Sequence, residues 1–155
     1  MDLKATASNV QTWTDGEWID LGTLEPMFID PSGDPEKNLW VRVRSIRSSH
    51  FKRAHARYRR TLDRMQARGV PVDPVKSDEA TRQALADACL LGWRNMTEGE
   101  VEVTYSPAEA KRVMLEDSYG RFQNAVASAA TQVGEKDAEW QEQHLPNSSG
   151  GSGKN

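Results

Sequence analysis

One cysteine occurs in the 155 residues, Cys89. A lone cysteine cannot close an internal disulfide, so nothing ties the chain to an oxidising compartment. Cys89 falls among apolar residues at helical spacing, where a free thiol behaves as a small buried hydrophobe. No base stands near it in sequence to make it a nucleophile. Long apolar runs are also missing. Hydrophobic residues make up 37% and mean hydropathy is −0.74, and no run approaches membrane-spanning length. The first eleven residues carry no apolar signal core. The expectation is a soluble, cytoplasmic chain with no membrane partner.

Catalytic and ligand-binding signatures are absent too. There is no HExxH or Cys/His pattern, no GxSxG, no phosphate loop and no GxGxxG. His50 and His55 are five residues apart, which does not put them on one helical face, and His144 is remote. Asp30, Asp34 and Glu36 share a loop with Pro31 and Pro35, which break the spacing of a calcium loop. Glu116 and Asp117 stand at a helix boundary, where capping accounts for them. These readings predict no enzyme activity, no cofactor and no metal. No internal repeat is visible.

What is present reads as an α+β chain, mostly α. Residues 1–47 form a β-rich region. Trp13, Asp15-Gly16 and Trp18 to Leu21 carry a hairpin signal, Met27-Phe28-Ile29 a possible strand, 30–35 a loop, and Leu39 to Arg44 an alternating strand. Residues 48–143 form a helical domain of four to five helices. Phe51, Ala54, Tyr58, Leu62 and Met65 make an amphipathic stripe starting at Ser48 or Ser49 and stopped by Gly69 and Pro71. Ser77 or Asp78 is the expected cap of the next helix. Phe122, Val126, Ala129, Ala130 and Val133 make another stripe, and 135–143 a short helix. Residues 144–155, rich in Gly and Ser, compose a flexible tail.

The segment from Asp87 to Phe122 is the most specific. Leu85, Ala88, Cys89 and Trp93 recur at helical spacing, with Gly92 as a breaker. Val101, Val103 and Tyr105 alternate as a strand does. Ser106, Pro107 and Glu109 form the start of a helix, with Ser106 as N-cap and Glu109 completing a capping box. In order, Leu90-Leu91-Gly92-Trp93, Tyr105-Ser106-Pro107-Ala108-Glu109-Ala110, Leu115-Glu116-Asp117 and Phe122 resemble the tail assembly chaperones of long-tailed, siphovirus-like bacteriophages. Trp40-Val41-Arg42-Val43 and the basic helix after it are similar to that family but less specific. The resemblance covers roughly residues 13 to 143. It implies a non-enzymatic protein that binds the tape measure protein and helps tail tube protein polymerise around it. It also implies residence in the host cytoplasm, absence from the mature virion and, in some members, a frameshifted longer form. Self-association along a long client is compatible with it.

Charge is concentrated in one place. The overall charge is −3, yet Lys52, Arg53, Arg57, Arg59, Arg60, Arg64 and Arg68 cluster with only Asp63 among them, and Arg42, Arg44 and Arg47 precede them. Such a face is a solvated helix surface, a docking face for an acidic partner, or a nucleic-acid contact. Nucleic acid is the least favoured, since no aromatic reading motif accompanies the charge. The partner-binding candidates on this helix are Arg53, Arg57, Arg60 and Arg64. Trp140, among Glu139, Gln141 and Glu142, is either an exposed anchor for a partner or packed on the helical core. Two functions compete with the chaperone: a basic-helix nucleic-acid adaptor and a structural connector of the virion.

Overall fold

The structure, a computed structural model, describes residues 2–6 and 10–135. It is α+β and mostly α, with five α-helices and a small antiparallel sheet among the described residues. The helices are α1 (Val10–Asp15), α2 (Ser49–Ala67), α3 (Pro74–Ala84), α4 (Pro107–Leu115) and α5 (Gly120–Gln132). Strands β1 (Glu17–Asp20), β2 (Trp40–Val43) and β3 (Leu90–Arg94) form one sheet in the order β1-β2-β3. β4 (Thr97–Glu98) and β5 (Val101–Glu102) make a separate two-stranded hairpin.

The third strand corrects the sequence reading. Leu90 to Trp93 were expected to continue the helix bearing Leu85 and Cys89. Instead α3 widens into a π-turn over Leu85–Cys89, and the chain leaves it as β3. Val41 pairs with Trp93 and Arg42 with Gly92, with a bulge beside Val43. Helical spacing and strand alternation coincide over so short a run, and the pairing with Trp40–Val43 decides between them. Gly92 lies level with Arg42 and Trp18 across the sheet, and a Cβ there would already touch the Trp18 ring at 3.5 Å. The Trp18 indole reaches Gly92 across the sheet, and Arg94 stacks its guanidinium 4.3 Å from the centre of that ring and 5.2 Å from that of Trp40.

Four other expectations change. Asp15-Gly16 does not turn a hairpin. Gly16, at φ +81°, ends α1 and starts β1, with its amide donating to Thr12 O at 2.9 Å. It packs so close to β2 that an added Cβ would stand 2.5 Å from Val43 O. Met27-Phe28-Ile29 is not a strand, because Pro26 starts a 3-10 turn over Pro26–Phe28. Val101 to Tyr105 is strand only at Val101–Glu102, and Val101 is 70% exposed. α3 is capped not at Ser77 or Asp78 but by Asp73, whose carboxylate accepts from Val75 N at 3.0 Å with Pro74 in the first turn.

The long basic helix starts at the Ser48 cap, whose Oγ accepts from Phe51 N at 3.3 Å. It stops in a Schellman motif: Gly69, at φ +85°, donates to Gln66 O at 2.9 Å, and Val70 N to Met65 O at 3.0 Å. Ala54 and Leu62 are buried, Phe51 and Tyr58 half-buried, and Met65 is 40% exposed. One apolar core joins Leu21, Val41 and Val43 of the N-terminal region with Leu85, Cys89, Leu90, Trp93, Val113, Met114, Phe122 and Val126. The region read as a helical domain thus supplies a strand to the N-terminal sheet.

Trp93 locks the residues behind the resemblance together. Its Nε1 donates to Val103 O at 2.7 Å, and its ring meets Tyr105 edge to face at 5.0 Å. Tyr105 Oη in turn donates to Leu90 O at 2.7 Å. Ser106 caps α4 by accepting from Glu109 N at 3.1 Å. Gln123, buried on α5, donates to Val113 O and Glu116 O at 3.0 and 2.7 Å, tying α4 to α5. Trp93→Ala is expected to destabilise the fold by about 3–5 kcal/mol, the usual cost of truncating a buried tryptophan. Chemical denaturation of both forms measures it, and a loss below about 1 kcal/mol would mean that the ring is not a core element.

Candidate partner-binding site

Beside this interlocked unit runs an open apolar groove of about 450 Å³. Met96, Val113 and Phe122 are its buried floor, and Met27, Phe28 and Leu39 form the opposite wall. Phe28 meets Phe122 edge to face at 6.5 Å. Met27 is 54% exposed, and Arg121 Nη1 approaches its sulfur at 3.9 Å. Two methionines and two phenylalanines give a lining that adapts its shape to an apolar ligand.

Polar residues hold the wall in place. Asn38 is buried, accepts from Asp30 N at 2.8 Å and donates to the Asp20 carboxylate at 3.1 Å. Asn95, at φ 66°, donates from Nδ2 to Glu36 O and Asn38 O, both at 2.8 Å. Leu39 N donates to Phe28 O at 3.1 Å. The loop read as ordinary turns is thus an organised arch, pinned by Asn38 and Asn95. Sequence reasoning missed both residues. The only signal was an asparagine beside an apolar strand, which has many innocent readings.

The groove's other rim is an ionic clamp. Arg112 grips Glu98 with Nη2 and Nη1 at 2.6 and 3.1 Å, and reaches Glu109 through Nη2 and Nε at 2.6 and 3.1 Å. The Tyr119 hydroxyl also donates to Glu98. Glu109, read as the second half of a capping box, has its carboxylate engaged by Arg112. The Arg112 guanidinium and the Tyr119 hydroxyl together hold the Glu98 carboxyl well below its ordinary 4.5, at about 2. The same contacts raise the Tyr119 hydroxyl and the Arg112 guanidinium.

The remaining sequence candidates fall elsewhere. Arg53, Arg57, Arg60 and Arg64 are exposed on α2. Asp63 is not their only counter-charge, because Asp87 of the π-turn lies 3.4 Å from Arg57 and also accepts from the Tyr58 hydroxyl. Phe51 stacks on His55 at 5.3 Å, and His55 meets Thr81 Oγ1 at 3.3 Å. Burial lowers the His55 pKa, with Arg59 adding to it. Cys89 is fully buried, its thiol pushed up to about 12 by desolvation and directed at Ser45 O, 3.9 Å away. At neutral pH it is a protonated core thiol. Leu85 and Phe122 are core. Trp140, the expected helix at 135–143 beyond its first residue, and the tail lie outside the described residues. Among the described residues no group of three His, Cys, Asp or Glu is placed to hold a metal, and no helix is long and apolar enough to cross a membrane.

The clamp makes a pH test. A depressed carboxyl stabilises the fold above its unfolded value of 4.5, and that stabilisation is lost as pH falls through about 2. Glu98→Gln is therefore expected to lower the melting temperature at pH 7, with the gap to the unmodified chain narrowing from pH 4.5 downward. Thermal melts of both forms across that range check it. A constant gap would mean that the charge of Glu98 plays no part.

The family model described as YdaY prophage protein matches residues 46–147, most of the chain. No curated protein and no solved structure is significantly similar. The matched span holds α2 to α5, the π-turn and β3 to β5, so it contains the groove floor and the Trp93 interlock. The chain belongs to the YdaY prophage protein family and is a phage-related protein.

Proposed function

We propose that this chain is a tail assembly chaperone that shelters an apolar ridge of the tape measure protein in the Met27–Phe122 groove. The observation that carries this reading is the fate of the residues behind the resemblance. Leu90 to Phe122 build one interlocked unit, and Met96, Val113 and Phe122 within it floor the groove. The prophage family supports a phage role in general. A long helical client presents apolar residues at i, i+3, i+4 and i+7, and an open groove walled by Met and Phe takes such a ridge without demanding one sequence. The protein works by binding alone, with no catalytic step. Several copies cover one client in the host cytoplasm, tail tube subunits displace them, and the chaperone is left out of the finished virion.

Co-expression with the tape measure protein of the same phage tests the reading. The unmodified chain is expected to raise the client's soluble yield, to co-purify with it and to be missing from finished tails. Met27→Glu puts a charge on an exposed groove wall, so it should cut capture by about ten-fold, ~1.4 kcal/mol, with an unchanged melting temperature. A client equally soluble without the chain, or the chain retained in tails at fixed stoichiometry, would overturn it.

A further inference from the structure

The arginines of α2 share no residue with the groove. Arg53, Arg57, Arg60 and Arg64 stand at i, i+4, i+7 and i+11, so they form a single ridge. At 1.5 Å per residue the ridge runs about 16 Å along the helix. All four are exposed, and Arg53, Arg60 and Arg64 make no hydrogen bond or ion pair with a described residue. The opposite face, with Ala54 and Leu62, is buried. Because the chain as a whole is at −3, its other residues carry a net negative charge, and the ridge is a local concentration. Like charges at i+3 and i+4 repel and weaken the helix, a cost that an acidic partner removes.

We infer that this ridge docks an acidic helix of a partner protein, with carboxylates at the same i, i+4, i+7 and i+11 spacing. Guanidinium forks take carboxylates two bonds at a time, which a lysine ridge would not do. A nucleic-acid duplex fits less well. It extends beyond the ridge, and its phosphates would be repelled by Asp87, 3.4 Å from Arg57, and by Asp63 on the same helix. A short acidic helix matches the length of the ridge, and its carboxylate at i+4 takes Arg57 in competition with Asp87, 3.4 Å away.

The test uses the full chain and two labelled alanine-based helical peptides of equal composition. One carries glutamates at i, i+4, i+7 and i+11, and the other has them spread around the helix. Fluorescence anisotropy is expected to show the first peptide binding at least about ten-fold more tightly, with affinity falling as salt rises. R53E/R60E/R64E should abolish binding while keeping or raising the melting temperature. R53Q/R60Q/R64Q serves if the reversal does not fold, with the same loss expected. Equal binding of the two peptides, no binding, or binding that survives both triple variants would overturn the inference. So would a labelled DNA duplex that binds more tightly than the patterned peptide.

Discussion

Trp40–Val43 and Leu90–Arg94 meet across about fifty residues of intervening chain, and most of the molecule is arranged around that pairing. Closing so long a loop costs entropy that only the contacts made on arrival offset. Those contacts are the burial of Val41, Val43, Leu90 and Trp93, and the hydrogen bonds of Trp93 to Val103 O and of Tyr105 back to Leu90 O. Arg44 adds to the closure, donating to Thr14 O at 2.6 Å and to Ala88 O at 2.8 Å, so that α1 and the π-turn are drawn to the same strand end. Once β3 is seated, Met96 and the β4–β5 hairpin are carried to the side where Phe28 and Phe122 meet. The groove is therefore a product of the sheet as much as of the helices.

The sequence was most legible where one local signal acted alone. Ser48, Gly69, Ser106 and the Phe122 to Val133 stripe announced their elements, because capping, a positive φ angle and period 3.6 are local effects. It was least legible where two local readings competed and a distant partner chose. Leu90 to Trp93 fits a helix until Trp18 and Arg42 are placed beside Gly92. Asp15-Gly16 fits a hairpin until Gly16 must slip under Val43 O. The groove was not legible at all. Its wall comes from Met27 to Leu39 and its floor from Met96 to Phe122, and no spacing rule links segments so far apart. The arginine ridge could be read from spacing, whereas its neighbour Asp87 could not.

Two surfaces of opposite character therefore sit on one small chain of the YdaY prophage protein family. One is an apolar groove rimmed by an ionic clamp, and the other a ridge of guanidinium groups on a helix whose far side is core. Apolar grooves hold many related ridges loosely, whereas charge patterns select among them and quicken encounter. In the chaperone reading proposed above, the two divide the work: the groove covers what would aggregate, and the ridge selects an acidic partner.

The groove is the central claim, and hydrogen–deuterium exchange of the chain with and without the tape measure protein tests it most directly. The account expects protection on binding in the backbone of 26–29, 96–99 and 118–122, the segments that line the groove. Protection confined to other segments, or no protection at client concentrations that saturate capture, would contradict it.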